Sequence, residues 1–380
     1  MKTVHTAGDE TEALMLQGLL EGAGIPVVLR SRQISGYGDV IERAIGVWGD
    51  LLVPDEREPE ARALVTGFLA SSQRGEGAAP ARVSGIVVPI VTLFDERGQV
   101  DEPANVRHIE WLLQHGVHGL FALGTTGEFT SLSPDERRAV AELAVRTARG
   151  RVPVLIGVGS PATDEAIAYA EHAEEIGADG VVAVLPYYWI PPDRSIYEHF
   201  RLLSIGTALP VYIYNFPALT GRSIPPKLVA RLAADRPNIV GLKDTVDSIA
   251  HIQETLTLVR AVRPEFSVLC GMETHLLNTL LVGGDGGVPG CGNFMPDPFV
   301  RIYNTATAGR ILDAVEHARA ITSISLLFDG SAPAFVVVKE AMVMAGLIPH
   351  AMARTPALPL TEDERRRLRE DLSALGVGVR

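Results

Sequence analysis

Residues 239–245 read IVGLKDT, an apolar run that ends in a lysine, an aspartate and a threonine. Residues 239–242 are short and continuously apolar, which is typical of a strand buried on both faces of a parallel sheet. Lys243 follows directly, so the strand would carry an amine at its carboxyl end. In barrels built of alternating strands and helices, functional residues lie at these ends. The same pattern repeated along the chain would gather several strand ends around one lysine.

Seven further runs of this kind occur between residues 86 and 288, and amphipathic helical patterns separate most of them. Eight strand–helix repeats predict an α/β fold, a closed (β/α)8 barrel over residues 83–300, followed by a helical region at 301–380. A doubly wound open sheet is the alternative, but it usually has fewer strands, and no G-x-G-x-x-G motif follows an early strand. The predicted strands are 86–91, 119–123, 154–157, 180–184, 211–214, 239–242, 267–270 and 286–288.

A smaller unit precedes the barrel. Residues 71–82 (SSQRGEGAAPAR) are small, polar and glycine-rich, which predicts a linker. Residues 1–70 show the order β-α-β-β-α, which predicts a small α+β domain with strands at 2–6, 25–29 and 44–53. Loose motifs such as 21–27 (EGAGIPV) make it resemble a small bacterial domain family described as signal-transducing. We find no catalytic constellation in it and expect a structural, interaction or regulatory role.

The composition narrows the choice of partners. Hydrophobic residues make up 47% and charged residues 21% of the 380, as in ordinary globular proteins. The formal net charge of −12 disfavours nucleic acid and anionic membrane surfaces. Two cysteines, Cys270 and Cys291, are too few for a disulfide framework. No signal-peptide pattern opens the sequence, and no apolar run approaches the ~20 residues of a membrane span, so we expect a cytoplasmic protein.

Lys243 is the first candidate for chemistry. A lysine amine has an ordinary pKa of ~10.4 and is unreactive while it is protonated. Desolvation or a cationic neighbour lowers that pKa, and the neutral amine can then attack a ketone to form an imine. The iminium withdraws electrons while a C–C bond breaks or forms. A solvated surface lysine is the alternative, which the buried strand before Lys243 argues against.

Two other strand ends carry polar groups suited to a keto acid. Residues 211–217 (VYIYNFP) end the fifth strand, and alternation puts Tyr212 and Tyr214 on one face. A phenol there can shuttle protons, or it can be a core tyrosine with a satisfied hydroxyl. Residues 124–128 (GTTGE) end the second strand, where glycines expose backbone N–H groups beside two hydroxyls. Such a loop can bind a carboxylate, or it can be a plain turn.

Taken in order, three segments form a more specific pattern: 124–128 (GTTGE), 214–217 (YNFP) and 241–245 (GLKDT). Together with 186–189 (PYYW) they resemble the dihydrodipicolinate synthase/N-acetylneuraminate lyase superfamily, over about residues 83–380. Members of that superfamily are class I aldolases on a (β/α)8 barrel. The resemblance therefore implies a Schiff-base enzyme that acts on a pyruvate-type 2-oxo acid.

The resemblance also implies a role for each residue, and neither a metal nor an organic cofactor. Lys243 forms the Schiff base, and Tyr214 is the acid/base. Thr125 links Tyr214 into a proton relay that Tyr188 of a neighbouring subunit completes, which requires the homotetramer common in the family. The groups implied to contact the pyruvyl group are Thr126, at its carboxylate, and the backbone carbonyl of Val288.

A few positions bear on the second substrate. Lysine-pathway synthases of this family carry an arginine two residues after the proline of Tyr-Asn-x-Pro; Leu219 stands there, and leucine cannot bind a carboxylate. Thr245 fits the sugar-acid aldolases. Glu273 retains one acid of the stretch that binds the glycerol chain in sialic acid lyases, while Thr274 replaces the other and Gly290 stands for a serine. We expect cleavage of a 2-dehydro-3-deoxy sugar acid of the gluconate or pentonate type, with dihydrodipicolinate synthase or N-acetylneuraminate lyase activity as alternatives.

Two hypotheses of another kind stay open at this point. A metal-dependent aldolase needs clustered histidine and carboxylate ligands, and His108, His115 and His118 are the nearest group. A catalytically inactive barrel could act as a ligand-binding regulator. The intact set of Lys243, Tyr214 and Thr126 argues against lost activity, and regulation of a working enzyme by the N-terminal unit stays open.

Overall fold

The computed structural model describes residues 1–7, 10–31, 49–73, 82–328, 330 and 332–379. Chain contacts divide it into two compact units, Met1–Ala79 and Pro80–Arg380. Residues 74–81, most of the predicted linker, and residues 44–48 of a predicted strand lie outside the described residues.

Over its described residues the N-terminal unit shows a three-stranded antiparallel sheet and two helices, which confirms the predicted small α+β fold. The elements are β1 (Lys2–Ala7), α1 (Glu10–Gly22), β2 (Val28–Ser31), β3 (Gly49–Val53), a 3-10 turn (Asp55–Arg57) and α2 (Glu58–Gln73). The sheet has the order β1-β3-β2, and α2 runs to Gln73, three residues into the segment predicted as a linker. The buried core consists of Val4, Ala7, Ala13, Leu16, Leu20, Ile25, Leu51, Val53, Ala61 and Val65.

The second strand of this unit begins later than residue 25, where the sequence predicted it. Gly24 has a φ of 71°, and the Ile25 N–H donates to the Leu20 carbonyl over 2.9 Å. A left-handed glycine followed by a buried apolar residue is a common way to end a helix. Ile25 therefore completes α1 instead of starting the strand, which begins at Val28.

The second unit is a closed barrel of eight parallel strands, as predicted. Neighbouring strands follow chain order, and the last pairs with the first through Gly286 and Gly85. A Cβ atom on Gly286, whose φ is 148°, would lie 2.0 Å from the Gly85 carbonyl oxygen, so only glycine closes the barrel here. The strands are β4 (Gly85–Pro89), β5 (Gly119–Ala122), β6 (Val154–Gly157), β7 (Gly180–Val184), β8 (Val211–Asn215), β9 (Ile239–Asp244), β10 (Ser267–Cys270) and β11 (Gly286–Gly287).

Helices follow the strands and continue beyond the last one. Ser133 and Thr361 form capping boxes, each with the glutamate three residues on. The helices are α3 (Glu102–Gln114), α4 (Pro134–Ala148), α5 (Thr163–Glu175), α6 (Asp193–Ile205), α7 (Pro217–Thr220), α8 (Pro226–Asp235), α9 (Ile249–Val262), α10 (Leu276–Leu281), α11 (Pro296–Thr307), α12 (Ile311–Ala320), α13 (Ala334–Met344) and α14 (Glu362–Ala374). The C-terminal helical region begins with α11, a few residues before position 301.

Every residue of the barrel strands is buried, which explains why their sequences are continuously apolar rather than alternating. Ser267 lies at the amino end of β10, where it donates to the Val83 carbonyl. The other strongly polar side chains of the strands, Asn215, Lys243 and Asp244, lie at the carboxyl ends of β8 and β9. In the ranges that the structure describes, no helix has the length and apolar character needed to cross a membrane. The polar strand ends therefore stand out against an apolar core, and they define the candidate site.

Candidate active site

Lys243 provides a buried amine at the carboxyl end of the barrel. It lies inside β9, which runs two residues beyond the predicted strand 239–242, and it pairs in register with Tyr214 and Leu269. The side chain is only 6% exposed. Its Nζ atom lies 4.0 Å from the centroid of the Tyr214 ring and 5.1 Å from that of Phe121. Two aromatic rings therefore shield the amine from water.

The two tyrosines of β8 reach different ends of the barrel. Tyr212 lies toward the amino-terminal end, where its hydroxyl accepts a hydrogen bond from the Val83 N–H over 3.3 Å. Burial raises the pKa of Tyr212 to about 12. Tyr214 lies two residues further, beside Lys243. Tyr212 is thus a core tyrosine with a satisfied hydroxyl, and Tyr214 is the phenol next to the amine.

The loop after β5 brings two hydroxyls to the same strand ends. Thr125 Oγ1 lies 3.4 Å from the Tyr214 hydroxyl oxygen, a long hydrogen bond in which either atom can donate. The neighbouring Thr126 is half-buried. The Gly127 carbonyl accepts a hydrogen bond from Thr92 Oγ1 over 2.8 Å, which ties the loop to the segment after β4. The structure therefore brings Thr125, Tyr214 and Lys243 together.

Thr245 carries a buried hydroxyl two residues after the amine. It is 9% exposed, and among the described residues its Oγ1 has no hydrogen-bond partner. Gly271 makes room for it, because a Cβ atom there would lie 1.9 Å from Thr245 Oγ1. A buried polar group without a partner is costly. The burial of this hydroxyl is therefore not compensated by any hydrogen bond within the described residues.

Glu273 places a carboxylate beside the loop. Its Oε1 accepts hydrogen bonds from the N–H groups of Gly290 and Cys291, over 2.8 and 3.3 Å. Burial raises the pKa of this carboxyl, while those N–H groups and the charge of Lys243 lower it. A Cβ atom on Gly290 would lie 3.4 Å from Glu273 Oε1 and 3.9 Å from Thr126 Oγ1. The carboxylate and the threonine hydroxyl thus border one small space.

The remaining predicted residues fall into two groups. Val288 directly follows β11, and its N–H donates to the Cys270 carbonyl over 2.8 Å, which puts it at the strand ends with the others. Tyr188 is not brought to them in this chain. It is 99% exposed and has a φ of 83°, beside the exposed Trp189 and Ile190. A left-handed backbone outside glycine persists only where its surroundings hold it.

The three predicted histidines do not converge on one point. His108 Nε2 lies 2.9 Å from Asn293 Oδ1, His115 Nδ1 lies 2.8 Å from the Trp111 carbonyl, and His118 Nδ1 accepts from a backbone N–H. Burial lowers the pKa of His108 to about 4, so it is neutral. No group of three or more histidine, cysteine or acidic side chains could hold a metal ion in the described part of the chain. The metal hypothesis therefore has no ligand set there.

Three buried residues near the site were missed from the sequence. Phe121 gave no signal, because an apolar residue in an apolar strand is unremarkable. Asp244 accepts a hydrogen bond from Asn215 Nδ2 over 2.8 Å and lies 3.5 Å from His251 Nε2; burial raises its pKa to about 6. Lys339 is fully buried. A lysine within the apolar run 334–344 (AFVVVKEAMVM) was a usable signal, since buried lysines are almost always paired.

This arrangement is suited to covalent chemistry on a ketone. A shielded amine can form an imine, a phenol next to it can transfer a proton, and a loop of hydroxyls and N–H groups can bind a carboxylate. The amine and the phenol lie on the neighbouring strands β9 and β8, and the loop follows β5. All three lie at the carboxyl ends of parallel strands, which are the usual place for active sites in this fold.

Comparison with known proteins agrees with this picture. Residues 82–375 match the model of the dihydrodipicolinate synthetase family, and the chain belongs to that family. Residues 1–68 match a second model, described as "Putative prokaryotic signal transducing protein". Both resemblances that the sequence motifs indicated are confirmed.

Individual relatives within this family carry the names of sugar-acid aldolases. The chain is 40% identical over 296 residues to "Probable 2-dehydro-3-deoxy-D-pentonate aldolase YjhH" of Escherichia coli K12, which covers 78% of this chain and 98% of the relative. It is 40% identical to "Putative 2-dehydro-3-deoxy-D-gluconate aldolase YagE" of the same organism over 77% of this chain and 97% of the relative. The crystal structure of YagE in complex with pyruvate aligns with a TM-score of 0.76 at 39% identity, covering 78% of this chain and 100% of that one. These names agree with the predicted enzyme class, a carbon–carbon lyase.

Proposed function

We propose that this chain is a class I aldolase that reversibly cleaves a 2-dehydro-3-deoxy sugar acid to pyruvate and an aldehyde. The observation that carries the proposal is the Lys243 amine, 6% exposed and 4.0 Å from the Tyr214 ring centroid, at the carboxyl end of the barrel. The names of the relatives YjhH and YagE support the substrate class. Family membership and the aldolase names together support a carbon–carbon lyase.

Catalysis begins at the Lys243 amine. Its lone pair attacks C2 of the sugar acid, and loss of water from the carbinolamine leaves an iminium. As the C3–C4 bond breaks, its electron pair moves toward the iminium nitrogen, and the C4 hydroxyl proton passes to a base while the aldehyde departs. The resulting enamine is protonated at C3, and water hydrolyses the imine to release pyruvate and the free amine.

Tyr214 is the base in this scheme. The Thr125 hydroxyl, 3.4 Å from the phenol oxygen, extends it into a proton relay. Tyr188 of a neighbouring subunit completes the relay in a homotetramer. The exposure and left-handed backbone of Tyr188 support such a role, because a second copy would supply the contacts that hold it.

The pyruvyl end of the substrate is bound next to the amine. Thr126 and the N–H groups of its loop bind the carboxylate, as anions are bound by exposed backbone N–H groups elsewhere. The backbone carbonyl of Val288 faces the keto acid. No metal or organic cofactor takes part in this scheme, because the lysine itself provides the electron sink.

The polyol end is bound by Thr245 and Glu273. Thr245 offers an unpartnered buried hydroxyl, and Glu273 a carboxylate that borders Thr126. Leu219 disfavours a dihydrodipicolinate synthase, because it is 59% exposed and offers no charge to a second carboxylate. A sugar acid that carries hydroxyls is therefore favoured as the substrate over the second substrate of a dihydrodipicolinate synthase, which carries a carboxylate.

The enzyme is proposed to act in the cytoplasm. Its proposed domain organisation is a regulatory unit at residues 1–70, a linker at 71–82, a barrel at 83–300 and a helical region at 301–380.

The test of function is a panel of 2-dehydro-3-deoxy aldonates assayed for pyruvate release, with Lys243→Ala as the control. Release that the wild type shows and the variant lacks supports the proposal. Pyruvate release by Lys243→Ala at the wild-type rate would contradict it.

A further inference from the structure

Two left-handed residues bracket the loop that carries Thr125 and Thr126. Leu123 has a φ of 60° and Glu128 a φ of 55°, and neither is a glycine. The loop closes between them, since the Glu128 N–H donates to the Thr125 carbonyl over 3.1 Å. Left-handed backbone in such residues persists only where other contacts over-determine it. Those contacts determine where the two hydroxyls point.

The side chain of Glu128 supplies such contacts at one end of the loop. Its carboxylate is fully buried and forms an ion pair with the fully buried Lys339 of α13. The second oxygen accepts a hydrogen bond from the Arg354 N–H over 2.9 Å. Lys339 also donates to the Met352 carbonyl over 2.8 Å and lies 4.4 Å from the centroid of the Phe94 ring. The carboxylate is thus fixed by groups that are more than 200 residues away along the chain.

The Lys339–Glu128 ion pair would destabilise the folded protein if one of the two charges were missing. Burial lowers the pKa of Lys339, and the Glu128 carboxylate opposes that effect. Removal of either partner would leave an unpaired charge inside the protein, whereas removal of both charges would not. Because Glu128 lies two residues after Thr126, any relaxation at this point moves the loop.

We propose that the buried Lys339–Glu128 ion pair positions the 124–128 loop and thereby sets the affinity of the site for the carboxylate of a 2-oxo acid. The proposal rests on the proposed function, in which Thr126 binds that carboxylate. Lys339 and Glu128 are positioning residues, because they act through the loop and not on the reacting atoms. The C-terminal helical region thus takes part in substrate recognition.

The test measures binding of pyruvate by the full chain. Borohydride reduction at increasing pyruvate concentrations, followed by mass analysis of the peptide that contains Lys243, gives the concentration for half-maximal labelling. In Glu128→Gln and Lys339→Met we expect this concentration to rise about ten- to a hundredfold, because small misplacements of binding groups have effects of that size. Labelling at saturation should still approach completion.

A neutral analogue separates positioning from general loosening. Pyruvamide has the size of pyruvate without its carboxylate, and its half-maximal concentration should change less than about twofold in the same variants, since it makes no charge-assisted bond with the loop. The proposal is supported if the half-maximal concentration rises for pyruvate but not for pyruvamide, so that the variants lose the preference for pyruvate over pyruvamide. Equal losses for both compounds would overturn it.

Two further variants serve as controls. Glu340→Gln removes the charge of the glutamate that directly follows Lys339 in α13. Glu340 lies 3.6 Å from Arg365 of α14 and does not face the loop. The half-maximal concentrations of pyruvate and pyruvamide should therefore stay unchanged in this variant. The double variant Glu128→Gln, Lys339→Met leaves no unpaired buried charge and decides the question if a single variant does not fold. Wild-type affinity for pyruvate in the double variant would overturn the proposal. Failure to label the wild type would instead refute the Schiff base, and this proposal with it.

Discussion

Lys243 and Tyr214 are opposite one another on β9 and β8, and the amine nitrogen lies 4.0 Å from the centroid of the tyrosine ring. Neighbouring parallel strands hold them at equal height, so the distance is set by the barrel and not by a loop. Phe121 closes the other side at 5.1 Å. The backbone of the barrel thus positions the pair before any substrate binds.

Removal of the phenol oxygen should separate imine formation from C–C cleavage. In Tyr214→Phe the Lys243 amine is retained, so borohydride should still trap pyruvate. The cleavage rate should fall by about 10²–10⁴-fold, the usual effect of losing a general acid or base. Pyruvate release from the active sugar acid gives the rate.

The matched control for this variant is Tyr212→Phe on the same strand. It removes only the hydroxyl that accepts from the Val83 N–H. We expect near wild-type activity and a loss of about 1–3 kcal/mol in the free energy of unfolding, because a buried N–H loses its partner. Equal activity losses in the two variants would refute the assignment of Tyr214 as the base.

Thr245→Val tests whether the polyol end of the substrate is bound by a buried hydroxyl. The hydroxyl has no partner among the described residues, so its removal should change the free energy of unfolding by less than about 1 kcal/mol. The kcat/KM for the sugar acid should fall about tenfold, the value of one hydrogen bond, while trapping of pyruvate is unchanged. An unchanged kcat/KM would show that the Thr245 hydroxyl does not bind the substrate.

Asp244 should make stability depend on pH. Burial raises its pKa from an ordinary 3.8 to about 6, so folding favours the protonated carboxyl. The wild type should therefore lose stability as the pH rises from about 4 to about 6, by an amount of order 3 kcal/mol. Asp244→Asn still accepts from Asn215 and should lack this loss, as denaturant unfolding at pH 4.5 and 7.5 would reveal. An equal change in the free energy of unfolding between these two pH values in both proteins would contradict a raised pKa for Asp244.

The Lys339–Glu128 pair should also be visible in stability. Lys339→Met leaves a buried carboxylate unpaired and should cost about 3–5 kcal/mol of unfolding free energy. The double variant Glu128→Gln, Lys339→Met should regain most of that loss, because both charges are gone. Chemical denaturation of the wild type, Glu128→Gln, Lys339→Met and the double variant measures the coupling. Additive losses would mean that the two residues do not interact.

Local patterns in the sequence were sufficient to predict the barrel. Each of the eight strands is a short apolar run because it is buried on both faces, and the observed bounds differ from the predicted ones by only a few residues. The least accurate strand in the described residues was the second one of the N-terminal unit. There Ile25 belongs to the end of α1, a tertiary outcome that β-propensity alone does not reveal.

The candidate site was predictable where it lies on strand ends and motifs. Lys243, Tyr214 and Thr125 meet because parallel strands end at one face, which the order of motifs already indicated. The lysine in the apolar run 334–344 indicated a buried charge, but no local pattern indicated which distant residue pairs with it. Glu128 and Lys339 are 211 residues apart, and only the closed fold brings them together. The role proposed for the exposed Tyr188 requires a neighbouring subunit.

The central claim is that Lys243 forms a covalent imine with a 2-oxo acid. Reduction of the protein with borohydride in the presence of pyruvate, followed by mass analysis of its peptides, tests this claim most directly. The account predicts one added reduced pyruvyl group on the peptide that contains Lys243, and none on that peptide in Lys243→Ala. An unmodified Lys243 peptide in the wild type at saturating pyruvate would contradict it.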